Sequence, residues 1–219
     1  GLLRSEVVPC GCTKPPYGGL ARWSATSKLV EKFYGPCLSV EIGDSLFPHM
    51  DERVGATRSY YIEKARLLCR WLKERNGVVA LGEGELEFGL VELSGVVNET
   101  GLSLLSSNVR IAGLCFETHA VRTVNGQRVG FISLLDPALV ERTSTIASAN
   151  IADPVESLVA EQRELEGRVQ LTVVICHVKS EALLERLIAC STGSAIFVGH
   201  LPASTTFAVL KPNVILATP

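Results

Sequence analysis

Three short apolar runs in this chain each end on a side chain able to bind a metal ion, and that pattern narrows the fold more than any other feature. Leu171 to Cys176 runs into His177, Ala195 to Gly199 runs into His200, and Cys37 to Gly43 runs into Asp44. Apolar runs of this length read as buried strands. When such strands lie parallel, their C-terminal ends share one rim of a sheet, and α/β proteins form ligand sites at that rim. Imidazole and carboxylate together are the donors of a transition-metal site. Each strand-end histidine also has a plainer reading as a hydrogen-bonded structural residue, and the runs alone leave both open.

The segments around these runs alternate in period. Leu20 to Tyr34 has helical spacing. Ser59 to Asn76 is an amphipathic helix with Tyr60, Tyr61, Ala65, Leu68, Cys69 and Leu72 as its stripe, closed by Gly77 as C-cap. Val78 to Leu81 is a buried strand, followed by a glycine-rich turn from Gly82 to Glu85, and Leu104 to Val109 is another strand. Asn125-Gly126 suits a type I′ turn, so Ala120 to Val124 and Arg128 to Leu134 form a hairpin. Asp153-Pro154 opens a helix reaching Glu166, and a second helix runs from Glu181 to Cys190. The last strands fall at Phe207 to Leu210 and Val214 to Ala217. Strand–helix alternation broken by hairpins predicts the α/β class, as an α/β/β/α sandwich of two mixed sheets flanked by helices.

Hydrophobic residues make up 47% of the 219, enough for the core of one domain covering residues 1–219. A formal net charge of -2 argues against a face for nucleic-acid polymers. The apolar runs are too short to span a bilayer. The seven cysteines are an odd number, which argues against a complete disulfide framework, and no Cys-x-x-Cys pair is present. Five lie in apolar segments, where shielding is expected. Cys10 and Cys12 form the one local pair, in a Gly/Pro-rich loop. They read either as a redox or soft-metal loop or as two incidental thiols or a strained bridge.

Seven pieces in order carry a resemblance. They are Gly18-Gly19-Leu20-Ala21-Arg22, Val40-Glu41-Ile42-Gly43-Asp44, Ala80 to Gly89, Ser106-Ser107-Asn108-Val109, the Asn125-Gly126 hairpin, Cys176-His177 and Val198-Gly199-His200. Together the chain resembles the metallophosphoesterase (calcineurin-like) domain of the 5′-nucleotidase and 2′,3′-cyclic phosphodiesterase family. The resemblance implies a dinuclear metal site, with Asp44 bridging and His177 and His200 as nitrogen ligands. Glu83 stands where the family has an Asn ligand, and Gly84 where it has the histidine that protonates the leaving group. Pro202 replaces the family's last histidine ligand. The site expected is therefore incomplete, built on Asp44, Glu83, His177 and His200, with weak or no hydrolysis of small phosphoesters.

The cofactor implied is a divalent metal, Mn, Zn or Fe. The family's first metal motif and first strand are expected before Gly1, and its substrate domain after Pro219. The Cys10-Gly11-Cys12 segment also resembles a degenerate bacterial branch associated with multihaem cytochromes. That implies a periplasmic or extracellular location, and an alternative role as an exported binding or assembly domain for a cytochrome or other protein partner. On the same resemblance, Cys10 and Cys12 are expected near the metal rim. His49 and His119 lie outside the matched pieces and read as surface or structural residues, and Trp23 and Trp71 as core or interface residues. The glycines from Gly82 to Gly89 imitate a phosphate loop but lack the Lys-Ser/Thr that follows one.

Overall fold

A computed structural model describes residues 3, 6–8, 19–49, 55–75, 77–140, 149–201, 207–211 and 213–217. Its elements in chain order are α1 (Leu20–Tyr34), β1 (Val40–Glu41), α2 (Arg58–Glu74), β2 (Val78–Val79), α3 (Glu83–Phe88), α4 (Leu90–Thr100), β3 (Leu104–Leu105), β4 (Val109–Ile111) and β5 (Phe116–Glu117). There follow β6 (His119–Val124), β7 (Gln127–Leu135), α5 (Pro137–Val140), β8 (Ala149–Ile151), α6 (Pro154–Leu165), β9 (Leu171–His177), α7 (Glu181–Cys190), β10 (Ala195–His200), β11 (Phe207–Lys211) and β12 (Val214–Ala217).

The larger sheet has the order β11-β12-β10-β9-β7-β6. Its middle strands β7, β9, β10 and β12 run parallel, and the edge strands β6 and β11 pair antiparallel. It is mixed, as expected. The second layer is smaller: β1 pairs with β2 and β3 with β5, both parallel, and a parallel bridge from Ala80 to Leu105 joins the two pairs. The pairs described in that layer are therefore parallel rather than mixed. An antiparallel pair, β4 with β8, stands beside them.

Three apolar clusters set the layer order. Ile42, Val78, Ala80 and Leu105 from the small layer meet Ala120, Phe131 and Ile175 from the large sheet. Residues of α2 and α4, including Leu68, Leu72, Leu93 and Val96, cover the outer face of the small layer. Leu158 and Leu165 of α6 and Leu184 and Leu187 of α7 cover the outer face of the large sheet, against Ile132, Val174, Cys176 and Phe197. Val174 and Cys176 face these helices while Ile175 faces the other sheet. This period of two, apolar on both faces, marks a strand buried on both sides. The result is an α/β/β/α sandwich.

Local chemistry explains the boundaries. Thr57 caps α2 by accepting the N–H of Tyr60, and Tyr61, Ala65, Leu68, Cys69 and Leu72 are its buried positions. Tyr60, expected on that stripe, is 52% exposed. The helix ends at Glu74 with Arg75 as its cap, not at Gly77. The Arg75 guanidinium lies 3.9 Å from the Trp71 ring centroid and 4.7 Å from that of Trp23, a stack that holds the cap in place. Gly77 has another task, because a Cβ there would lie 2.4 Å from the Ser39 carbonyl as β2 starts beside the chain leading to β1.

The strand expected over Leu104 to Val109 is broken in two. Asn108 intervenes, donating to the Leu135 and Ala152 carbonyls and accepting the Leu135 N–H. A buried side chain that satisfies backbone groups of two other segments replaces the ladder there. Helix α4 was not marked by the sequence, since Gly95 and two adjacent valines weaken its helical signal. His119 ties the edge strand β6 to α6 through a 2.6 Å contact of its Nδ1 with Glu161 Oε2, a structural use.

Candidate metal centre

The parallel strands deliver their C-terminal ends to one rim. His177 is the last residue of β9 and His200 the last of β10, and the two are register partners. Asp44 follows β1, and Glu83 follows β2 as the first residue of α3. All four sequence-derived positions meet here. Glu83 Oε1 lies 2.7 Å from His200 Nδ1, and Glu83 Oε2 contacts His177 Nδ1. Asp44 Oδ2 lies 3.6 Å from His177 Nδ1.

A fifth group joins them. His49 Nε2 lies 3.2 Å from Asp44 Oδ2 and 3.8 Å from Glu83 Oε1. One ligand atom from each of Asp44, His49, Glu83 and His200 lies within 4.8 Å of every other. Sequence reasoning left His49 outside the site because it sits in no matched piece and on no strand end. Its signal was its position five residues after Asp44, behind the buried apolar pair Leu46-Phe47.

The backbone here is shaped around the Asp44 carboxylate. Asp44 has a φ of 52°, uncommon outside glycine. This turn lets Oδ1 accept the Gly84 N–H at 2.7 Å. A Cβ on Gly82 would lie 2.3 Å from Asp44 Oδ1, and one on Gly84 would lie 2.8 Å from the Phe47 carbonyl oxygen. Both positions are therefore glycine for reasons of space, and Gly84 has no side chain with which to donate a proton.

Charge at the site is balanced internally. Burial opposes ionisation of Glu83, but hydrogen bonds from His177 and His200 and the charge of His177 outweigh it and hold the carboxyl well below its usual range. For His177, burial lowers the pKa, while the bond and charge of Glu83 and the charge of Asp44 raise it, to about 9. His49 is also raised to about 9, first by its bond to Asp44 and then by the charges of Asp44, Glu83 and Glu87 against partial burial. Glu85, on the same short helix α3, is pushed up to about 7 by burial and the Asp44 charge.

The donor set fits a divalent ion. It offers imidazole nitrogens and carboxylate oxygens, the ligands of zinc and of manganese and iron. His177 donates from Nε2 to the Ile42 carbonyl, which leaves Nδ1 turned toward Glu83 and Asp44. Metal-bound histidines have their second nitrogen held in this way.

Solved structures match this architecture. A 5′-nucleotidase precursor of Thermus thermophilus aligns at a TM-score of 0.68 with 24% identity, over 99% of this chain and 46% of that one. A 5′-nucleotidase from Staphylococcus aureus, solved with α-ketoglutarate, aligns at 0.70 with 15% identity, over 100% of this chain and 46% of that one. A calcineurin-like phosphoesterase of Bacillus subtilis aligns at 0.62 with 17% identity, over 90% and 72%. The chain has the metallophosphoesterase fold. It spans less than half the length of the two nucleotidases. No protein-family model and no curated protein matches the sequence.

Within this metallophosphoesterase fold the cysteines divide. Cys69 and Cys176 are buried, but Cys37, Cys115 and Cys190 are exposed, against the expectation that all five were shielded. Cys37 precedes β1, Cys115 lies between β4 and β5, and Cys190 is the last residue of α7, so each sits beyond the packed part of its apolar segment. Cys10, Cys12 and Pro202 lie outside the described residues. Among the described residues no helix is long and apolar enough to cross a membrane.

Proposed function

We propose that this metallophosphoesterase-fold domain holds a divalent metal ion among Asp44, Glu83, His177 and His200, and hydrolyses small phosphoesters weakly or not at all. The observation that carries this reading is Gly84. It donates its backbone N–H to Asp44 and is packed against the Phe47 carbonyl, so the position matching the family's proton donor has neither a side chain nor room for one. General acid catalysis typically contributes on the order of a hundredfold or more. A bound ion would supply Lewis-acid polarisation of a phosphoryl oxygen. The chain's own residues orient it: Ile42 fixes the His177 ring, and Gly84 fixes Asp44.

An exported location accords with the likeness to a nucleotidase precursor. The ligand of the whole protein, on this likeness, is a nucleotide or related small phosphoester. A cytochrome partner rests only on the Cys10-Gly11-Cys12 resemblance.

The test pairs binding with turnover. Titration calorimetry with Mn²⁺ or Zn²⁺ should give binding that Asp44→Ala abolishes. p-Nitrophenyl phosphate and AMP should be hydrolysed at background rates by both proteins. Robust turnover that disappears in Asp44→Ala would overturn the reading.

A further inference from the structure

We infer that His49 is an additional ligand of this ion and, beside the more exposed His200, helps to close its solvent side, an inference that rests on the metal-binding reading above. Three independent features point to it.

The first is the orientation of the ring. His49 Nδ1 lies 3.4 Å from Glu87 Oε2, while Nε2 faces Asp44 Oδ2 at 3.2 Å and Glu83 Oε1 at 3.8 Å. An outer carboxylate facing Nδ1 favours the tautomer that keeps its proton there, with the Nε2 lone pair turned inward. That carboxylate–histidine arrangement is the usual support of a metal-bound imidazole. The same logic governs His177, whose outer nitrogen is held by the Ile42 carbonyl. Two histidines thus approach the same two carboxylates, the far nitrogen of His177 bonded to the Ile42 carbonyl and that of His49 facing Glu87.

The second is spacing. Ligand atoms each about 2.0–2.2 Å from one ion stand roughly 3.3 Å apart in a four- or five-ligand set. The separations of His49 from Asp44 and Glu83, 3.2 and 3.8 Å, and of His200 from Glu83, 2.7 Å, bracket that value. The segment carrying His49 is anchored, because the Leu46 N–H donates to Glu85 at 2.9 Å and Phe47 stacks on Phe88 with ring centroids 4.1 Å apart.

The third is exposure. His177 is fully buried and the side chains of Asp44 and Glu83 are only 5% and 3% exposed, so they form the floor of the site. The His49 side chain is 26% exposed and that of His200 58%, so these two imidazoles stand between that floor and solvent. Metal sites that catalyse keep a position open, whereas closed ligand sets are structural. His49 therefore takes the place an attacking water or a phosphoryl oxygen would need. Its absence from the matched motifs is then part of why this site should be quiet.

The test uses the full chain loaded with Co²⁺, whose visible absorption reports its ligands, together with titration calorimetry. Wild type should give a spectrum unchanged by inorganic phosphate. His49→Ala and His49→Gln should both weaken Co²⁺ binding by more than about tenfold, alter the spectrum, and make it respond to phosphate through the opened position. Asp44→Ala is the reference for loss of the site, and circular dichroism checks that each variant is folded. If the His49 variants bind Co²⁺ with wild-type affinity and spectrum while Asp44→Ala does not bind, His49 is an ion-pair partner only and the inference falls alone. Weaker binding with an unchanged spectrum would also overturn it, by placing His49 outside the ligand set. If wild type binds no Co²⁺, the metal-binding reading itself fails and takes the inference with it.

Discussion

The Glu85 carboxylate accepts the backbone N–H of Asp44 at 3.0 Å across 41 residues of sequence. The same oxygen accepts the Gly82 N–H at 2.9 Å, and the other accepts that of Leu46 at 2.9 Å. One buried side chain on α3 thus ties together the two turns that present Asp44 and Glu83. Replacing it leaves three buried donors without partners, each costing about 1–3 kcal/mol. Glu85→Ala should lower the stability of the metal-free protein by at least about 3 kcal/mol in urea unfolding, and Glu85→Gln, which keeps one acceptor, by less. A loss under about 0.5 kcal/mol for Glu85→Ala would contradict this clamp.

The histidines set a pH dependence. His177 and His49 titrate near 9 when folded against 6.5 as their ordinary value. A raised pKa means the folded protein holds its proton more tightly. The stability this contributes is complete below about pH 6.5 and is lost as pH rises through about 9. For the buried His177 the loss is of the order of 3 kcal/mol, and less for the partly exposed His49. Metal must displace these protons, so apparent affinity should rise between pH 7 and 9 and level off above. Calorimetry in buffers of different ionisation enthalpy should detect proton release at pH 7. Binding without release would show that these histidines stay protonated and do not ligate.

Restoring a histidine at position 84 should not restore chemistry. A Cβ there meets the Phe47 carbonyl at 2.8 Å and Asp44 Oδ1 at 3.1 Å, and a backbone carbonyl yields little. Gly84→Ala should cost about 1–3 kcal/mol. Gly84→His should be less stable still, with no gain in p-nitrophenyl phosphate turnover. A folded Gly84→His protein with clearly raised turnover would mean the site needs only a proton donor.

Native alkylation should divide the five described cysteines. Cys37, Cys115 and Cys190 are exposed and should label readily. Cys69 is buried with its thiol pushed up to about 12, and burial raises Cys176 further. Both should stay unlabelled until the protein unfolds, because the thiolate is the reactive form. Mass spectrometry after a short pulse reads this directly, and early labelling of Cys176 would mean that β9 is not packed as described.

Local pattern alone located most elements. The bounds of α1, α7 and β12 follow from apolar spacing, and the Asn125-Gly126 turn, with φ of 50° and 77°, from residue chemistry. These are short-range effects, so a single stretch carries the information. The strand-end positions Asp44, His177 and His200 were legible for a related reason: parallel strands place their ends on one rim. The break at Asn108, the helix end at Arg75 and the exposure of three cysteines were not legible. The first two depend on partners far along the chain, Leu135 for Asn108 and Trp23 for Arg75, and the third on where packing of each segment stops.

The sequence by itself determined the α/β class, the strand ends and the missing side chain at Gly84. Only the tertiary structure decided that His49 faces Asp44, that Glu85 clamps both turns, and that Gly84 has no space for a larger residue. The physical reason is the reach of each cause. Helix and strand periodicity arise between near neighbours. A ligand set arises where segments dozens of residues apart are brought within a few ångströms by burying their apolar faces.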